Sequence, residues 1–176
     1  MSTQEMMPQD SQIESDFNVS DEYKPEPLAP VGTYKGHVIQ VGFDAAGQCI
    51  VWTVALQGNT GTMTDGTTPI DGQRYQYRNW LPRPGDESIR TPKGRSTKRE
   101  AKISMLKQFA DAMEVNMNGK NEIVQGISEG LWLGIPVICK LTLDTYEGRT
   151  RNNIDRMSRD KSGAKIEVKP DEDMPF

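Results

Sequence analysis

Residues 97–113, with the sequence TKREAKISMLKQFADAM, predict the main helix of this chain and divide its strands into two groups. Thr97 and Glu100 have the spacing of a capping box, in which a hydroxyl and a carboxylate satisfy backbone N–H groups at the helix start. Apolar residues then recur at helical spacing on one predicted face: Ile103, Leu106, Phe109, Ala110 and Met113. Asn118-Gly119 predicts the end of the helix, and a shorter helix is expected at residues 122–129.

Three strand signals precede this helix and two follow it. The segments are rich in β-branched and aromatic residues and are bounded by turn residues. The predicted strands are residues 33–41, 48–56, 74–81, 137–143 and 149–157. Turn signals at residues 44–47 and 146–148 predict two antiparallel hairpins.

Five strands with a helix between the third and fourth have the connectivity of an OB-fold, a small partly open barrel. We therefore expect a mainly β protein, with an OB-fold-like five-stranded antiparallel barrel and a helical insertion between strands three and four. A β-sandwich or a small α+β domain would give a similar order of elements. The predicted domain spans residues 29–158, between a disordered acidic arm at 1–28 and a flexible tail at 159–176.

The net charge of −4 is unevenly distributed along the chain. Residues 1–28 carry seven acids and one base, and residues 170–176 carry three acids and no base. The 141 residues between them hold 20 bases and 15 acids, a net charge of +5. A basic body between two acidic ends favours an anionic partner for the body, and ordinary solvation is the alternative.

Motifs for catalysis or metal binding are lacking in the sequence. Cys49 and Cys139 lie in apolar runs and are expected to be small buried hydrophobes. Neither zinc-ligand spacing nor a phosphate-binding or nucleophile motif occurs, so we expect no enzyme, cofactor or metal. No apolar run approaches the roughly 18 residues that span a bilayer, and no secretory signal is evident, so a cytoplasmic protein without a membrane partner is expected.

The third predicted strand begins a strongly basic window. Residues 74–107 contain ten bases and three acids, interleaved with aromatic residues, a combination suited to phosphates and nucleobases. By strand alternation Arg74, Arg78 and Trp80 share one face, and Tyr75 and Tyr77 share the other. Either aromatic set could contact a nucleic acid, and packing in the core is the alternative for both.

Two further basic segments extend this candidate surface. Residues 82–96 predict an exposed, mobile loop, and Arg149 with Arg151 share a face of the last strand, where they either extend a binding groove or protect a sheet edge. Trp52 is expected in the core, and His37 has no expected function. The predicted DNA contacts are Arg74, Tyr75, Tyr77, Arg78, Trp80, Arg83, Arg90, Lys93, Arg95, Lys98, Arg149 and Arg151.

The last six residues resemble the C-terminal tip of bacterial single-stranded-DNA-binding proteins, which close on acidic residues followed by Ile-Pro-Phe. The matching residues are Asp171, Glu172, Asp173, Met174, Pro175 and Phe176, with methionine at the isoleucine position. The resemblance implies that Phe176 enters an apolar pocket of a partner protein while the three acids contact its basic rim. Charge would then steer the encounter and the buried aromatic would anchor it.

Residues 28–157 are loosely similar to phage-type single-stranded-DNA-binding proteins, through LAPVGTY at 28–34, the late helices and YEGRTRNN at 146–153. The resemblance implies non-catalytic, largely sequence-independent binding of single-stranded DNA in replication or recombination, inside a bacterial host cell. The tip would recruit replication or recombination proteins and compete weakly with DNA for the basic body. An adaptor that does not bind DNA and a phage nuclease are the alternatives, and both monomer and homo-oligomer stay open.

Overall fold

The computed structural model describes residues 9–168. The strands are β1 (Gly32–Asp44), β2 (Cys49–Leu56), β3 (Arg74–Trp80), β4 (Pro136–Tyr146) and β5 (Arg149–Arg159). The α-helices are α1 (Val19–Glu22), α2 (Lys98–Met113) and α3 (Lys120–Ser128), and short 3-10 helices occupy Asp10–Gln12 and Asp86–Ser88. Within the described residues no helix is long and apolar enough to cross a membrane.

The five strands form one antiparallel sheet in the order β3-β2-β1-β4-β5. The predicted mainly β architecture, with helices inserted between the third and fourth strands, is therefore confirmed. The two edge strands also approach each other, since the Tyr75 hydroxyl lies 3.4 Å from Oδ1 of Asn152. No ladder between β3 and β5 is present among the described residues, so the sheet is open along this seam.

The core lies between the inner face of the sheet and the two inserted helices. Trp52 of β2 is fully buried, as predicted, and stacks on Trp132 with ring centroids 5.1 Å apart. Phe109 of α2 meets the Trp52 ring edge-on, also at 5.1 Å. Cys49 and Cys139 are buried free thiols, as expected, and burial raises the pKa of Cys139 to about 12.

Helix α2 begins as predicted but ends earlier. Thr97 Oγ1 accepts the N–H of Glu100, and a Glu100 carboxylate oxygen accepts the N–H of Thr97, so the capping box is confirmed. The prediction of an end near Asn118-Gly119 is wrong, because Glu114 adopts a left-handed conformation (φ 57°) and stops the helix at Met113. The Arg159 guanidinium donates to the Met113 carbonyl at 2.8 Å and caps this end.

The predicted apolar face of α2 is only partly buried. Phe109, Ala110 and Met113 contribute to the core, whereas Ile103 is 45% exposed. Ile103 is exposed because the C-terminal half of α2 is the part that packs on the core. Its N-terminal half lies beside a surface groove instead.

The chain segments before β1 and after β5 are attached to the sheet by specific contacts. Residues 9–27 are exposed throughout, although α1 forms within them. The chain then docks at Ala29, whose backbone N–H and carbonyl both bond to the Asn152 side chain at 2.8 and 2.9 Å. After β5, Ile166 donates its N–H to the Gly134 carbonyl at 3.0 Å, so the start of the predicted tail packs on the connection before β4. The rest of the tail lies outside the described residues.

Candidate nucleic-acid interface

Strand β3 has two chemically different faces. Arg74, Gln76 and Arg78 are exposed, and Trp80 on the same face keeps 49% of its surface accessible. Between them Tyr75 and Tyr77 are half-buried, and Asn79 is buried. The predicted alternation along this strand is confirmed, and Trp80 is the aromatic side chain on its exposed face.

The two tyrosines of β3 face the interior side. The Tyr77 ring stacks on Phe109 with centroids 5.3 Å apart and planes 11° from parallel. Burial raises the pKa of Tyr77, and the neighbouring Asp155 carboxylate raises it further. Tyr75 points toward Asn152 of β5, and burial raises its pKa as well. Tyr77 therefore packs against α2, and Tyr75 faces β5 across the open side of the sheet.

Small buried residues of β2 lie beside the exposed face of β3. On β2, Cys49 pairs with Trp80, Val51 with Arg78 and Thr53 with Gln76. These three β2 residues are at most 5% exposed. The accessible surface at this place is therefore formed by the side chains of β3 and not by those of β2.

Two buried polar atoms on this side of β1 and β2 lack a partner within the part of the chain that the structure describes. Thr53 Oγ1 and Nδ1 of His37 are buried and form no hydrogen bond within residues 9–168. Buried polar atoms usually have a partner, which can be an ordered water or a bound group. His37 has no expected function from the sequence. It pairs with Ala55 of β2, which pairs on its other side with Arg74, so the β1–β2–β3 register places His37 and Arg74 on the same face of the sheet.

The buried side of β3 also contains a hydrogen bond that the sequence did not indicate. The indole Nε1 of Trp52 donates to Oδ1 of Asn79 at 2.6 Å, within the core. Asn79 is a polar residue at an inward-facing position of the strand. A residue of this kind needs a buried hydrogen-bond partner, and that requirement could have indicated the bond. Asn79 thereby fixes the orientation of Trp52 beneath the exposed face.

The loop from Leu81 to Thr97 is exposed but anchored, where the sequence predicted a mobile loop. Asp86 is buried, and its carboxylate accepts the ammonium of Lys102 at 2.7 Å and the N–H of Arg83 at 2.8 Å. The hydrogen bond from Lys102, followed by that from Arg83, lowers the pKa of Asp86. At the other end, Lys98 donates its N–H to the Ile89 carbonyl at 2.7 Å.

The predicted contacts in this loop are in different environments. Arg83 donates to the Ala46 carbonyl and so braces the turn between β1 and β2. Arg90 and Lys98 line a cleft of about 630 Å³ between the end of β3, α2 and β5, called here the β3–α2 cleft. Lys93 and Arg95 are exposed at the loop tip. Of the four predicted cations in the loop, Arg90 lines this cleft, where it joins Lys98 at the start of α2 and Arg78 and Trp80 of β3.

The last hairpin projects beyond the rest of the sheet. The pairing of β4 with β1 stops at Leu141, whereas β4 and β5 remain paired to Tyr146 and Arg149. Arg149 forms an exposed ion pair with Glu26 at 3.2 Å, and Arg151 is exposed opposite Asp144. Both predicted contacts therefore lie on a two-stranded ribbon, away from the β3–α2 cleft.

The partner-docking residues predicted at 171–176 lie outside the described part of the chain. Among residues 9–168, no group of three or more His, Cys, Asp or Glu side chains is placed to hold a metal ion. No protein-family model and no curated protein sequence matches this chain.

Proposed function

We propose that this protein binds single-stranded DNA on the exposed face of β3. The observation that carries the proposal is the exposed Trp80 indole on the same strand face as the Arg78 guanidinium. A cation can neutralise a phosphate and an indole can stack on an unpaired base, and base–aromatic stacking is worth about 1–3 kcal/mol in other systems. Bases in a duplex are already stacked, so this surface favours single strands.

The strand order supports an OB-fold-like barrel as the scaffold. A barrel of this type would close by pairing β3 with β5, and these are the two edge strands that approach each other. OB-folds bind oligonucleotides on strands two and three and on the loops after strands one and four. In this chain those elements are β2, β3, the Asp44–Cys49 turn and the β4–β5 turn.

Cations outside β3 would extend the path of the strand. Arg90 and Lys98 continue it toward α2, and Arg151 provides a second contact on the β4–β5 ribbon. Arg83 and Arg149 have protein partners in the structure, so they would contribute mainly by positioning the loops that carry them. Contacts of this kind track the backbone with little sequence preference.

An anisotropy titration tests the proposal with a labelled oligo-dT of about 30 nucleotides, long enough for a site of roughly 4–16 nucleotides per OB-fold. We expect binding at low salt. The logarithm of the affinity should fall linearly with the logarithm of the salt concentration. A duplex of the same length should bind much more weakly. Absence of binding to the single strand at low salt would refute the proposal.

Recruitment of partner proteins by residues 171–176 stays a proposal from the sequence. Deleting residues 170–176 should abolish capture of the partner and strengthen DNA binding, if the acidic tip competes for the basic body. An adaptor that does not bind DNA would fail the oligo-dT titration and retain partner capture. A nuclease would cleave the oligonucleotide when Mg²⁺ is added, whereas we expect the DNA to stay intact.

A further inference from the structure

The β3–α2 cleft has a lining that differs from the exposed strip of β3. Its floor is the stacked pair of Tyr77 and Phe109, and its walls include the exposed apolar side chains of Ile89 and Met105. Ile89 is 50% exposed and Met105 is 63% exposed, although both are large apolar residues. The volume of about 630 Å³ lies within the range of small-molecule binding sites.

Five basic residues and one carboxylate line this cleft. Arg78, Arg90, Lys98 and Arg156 are exposed, and Lys102 is paired with Asp86. Asp155 of β5 lines the same cleft and is close enough to Tyr77 to affect its ionisation. Asp155 is exposed, so its carboxylate oxygens can accept hydrogen bonds from a bound group.

We propose that the β3–α2 cleft binds one extruded nucleobase that carries an exocyclic amino group. The inference rests on the proposed binding of single-stranded DNA and adds a position at which base identity matters. The base would pack against Met105 and Ile89, and its phosphate would contact Arg78, Arg90 or Lys98. The Asp155 carboxylate would accept the amino group of cytosine or adenine, whereas thymine presents a carbonyl oxygen at that position.

A pair of charge-matched variants tests the pocket. Met105→Glu places a carboxylate in the cleft, and Ile103→Glu places the same charge on the neighbouring face of α2, outside it. Both parent side chains are exposed, so both variants should fold, and thermal melts would check this. The probes are oligo-dC and an abasic deoxyribose-phosphate chain of equal length.

We expect Met105→Glu to weaken oligo-dC binding about 10-fold, the effect of losing one stacked base. For the abasic chain, which has no base to insert, Met105→Glu and Ile103→Glu should bind with equal affinity. Equal effects of both variants on both probes would overturn the pocket while leaving the proposed function intact. Failure of the wild-type protein to bind any probe would instead overturn the proposed function itself.

The Asp155→Asn variant tests the base preference. The wild-type protein should bind oligo-dC about 5-fold more tightly than oligo-dT, and the variant should lose this difference because an amide can also donate to thymine. Asp144→Asn on the β4–β5 ribbon is the control with the same charge change, and it should retain the preference. Equal wild-type affinities for oligo-dC and oligo-dT would contradict the role of Asp155.

Discussion

The two faces of β3 differ in what covers them, although aromatic residues occur on both. On the inner face Tyr77 is closed over by Phe109 of α2, and Asn79 bonds to the buried Trp52. On the outer face Trp80 keeps 49% of its surface accessible beside Arg78, next to small buried residues of β2. Aromatic identity therefore does not distinguish a core residue from a binding residue in this strand. Strand phase does, once the position of the covering helix is known.

The largest expected effect separates Trp52 from Trp80 by stability. Trp52→Ala should lower the free energy of unfolding by about 3–5 kcal/mol, because it removes a fully buried indole from between Trp132 and Phe109. Urea denaturation would measure it. Trp80→Ala is the matched control and should change stability by less than about 0.5 kcal/mol. Similar losses in both variants would mean that the inner and outer faces of the sheet are not distinct.

The next effect concerns charge on the outer face. Arg78→Glu should weaken oligo-dT binding by about 1.5–3 kcal/mol, the usual worth of a hydrogen bond to a charged group. The slope of log affinity against log salt concentration should also become shallower by about 0.7, because one phosphate is no longer neutralised by the protein. Lys120→Glu makes the same charge change at the first turn of α3 and should have little effect. A slope unchanged in Arg78→Glu would remove this residue from the DNA path.

Stacking by the outer indole should be somewhat weaker. Trp80→Ala should reduce oligo-dT affinity by about 1–3 kcal/mol without changing the salt slope, because a stacking contact releases no counterions. Tyr23→Ala, an exposed aromatic at the end of α1, is the control and should bind normally. The assignment of Trp80 fails if both variants bind like the wild-type protein in an anisotropy titration.

The smallest effect concerns the anchor that holds the basic loop on α2. Because the pKa of Asp86 is lowered in the folded protein, its contribution to stability is present above the unfolded value of about 3.9 and is lost as the pH falls through the folded pKa. Asp86→Asn should therefore lower the melting temperature at pH 7, and the difference from wild type should shrink below about pH 3.9.

Asp111→Asn is the control for this pH series. Asp111 pairs with Lys107 on the surface of α2, where both side chains are more than half exposed, and such pairs contribute little. Its melting temperature should follow the wild-type protein at every pH. A difference between Asp86→Asn and wild type that stays constant as the pH falls below about 3.9 would contradict the electrostatic role of Asp86.

Features that depend on local sequence were predictable. The Thr97–Glu100 capping box, the five strands and the alternation of Arg78 and Trp80 against Tyr77 follow from interactions within a few residues. The same alternation could not show which face α2 would cover. That choice depends on how Phe109 packs against Trp52, across more than 50 positions of the chain.

Features that depend on distant residues were missed. The Met113 carbonyl at the end of α2 is capped by Arg159, 46 positions further along the chain. Asn152 holds Ala29 across 123 positions, and no local pattern marks either residue for that role. The β3–α2 cleft likewise joins residues from β3, the loop, α2 and β5, so Met105 and Asp155 carried no signal in the sequence.

Tryptophan fluorescence tests the central claim most directly, because the three tryptophans occupy contrasting positions. Trp52 and Trp132 are buried against each other, while Trp80 is exposed on the proposed DNA surface. Addition of oligo-dT should quench the wild-type emission, and Trp80→Phe should abolish the quenching while anisotropy still reports binding. Quenching that persists in Trp80→Phe, or binding that leaves wild-type fluorescence unchanged, would contradict the placement of DNA on the exposed face of β3.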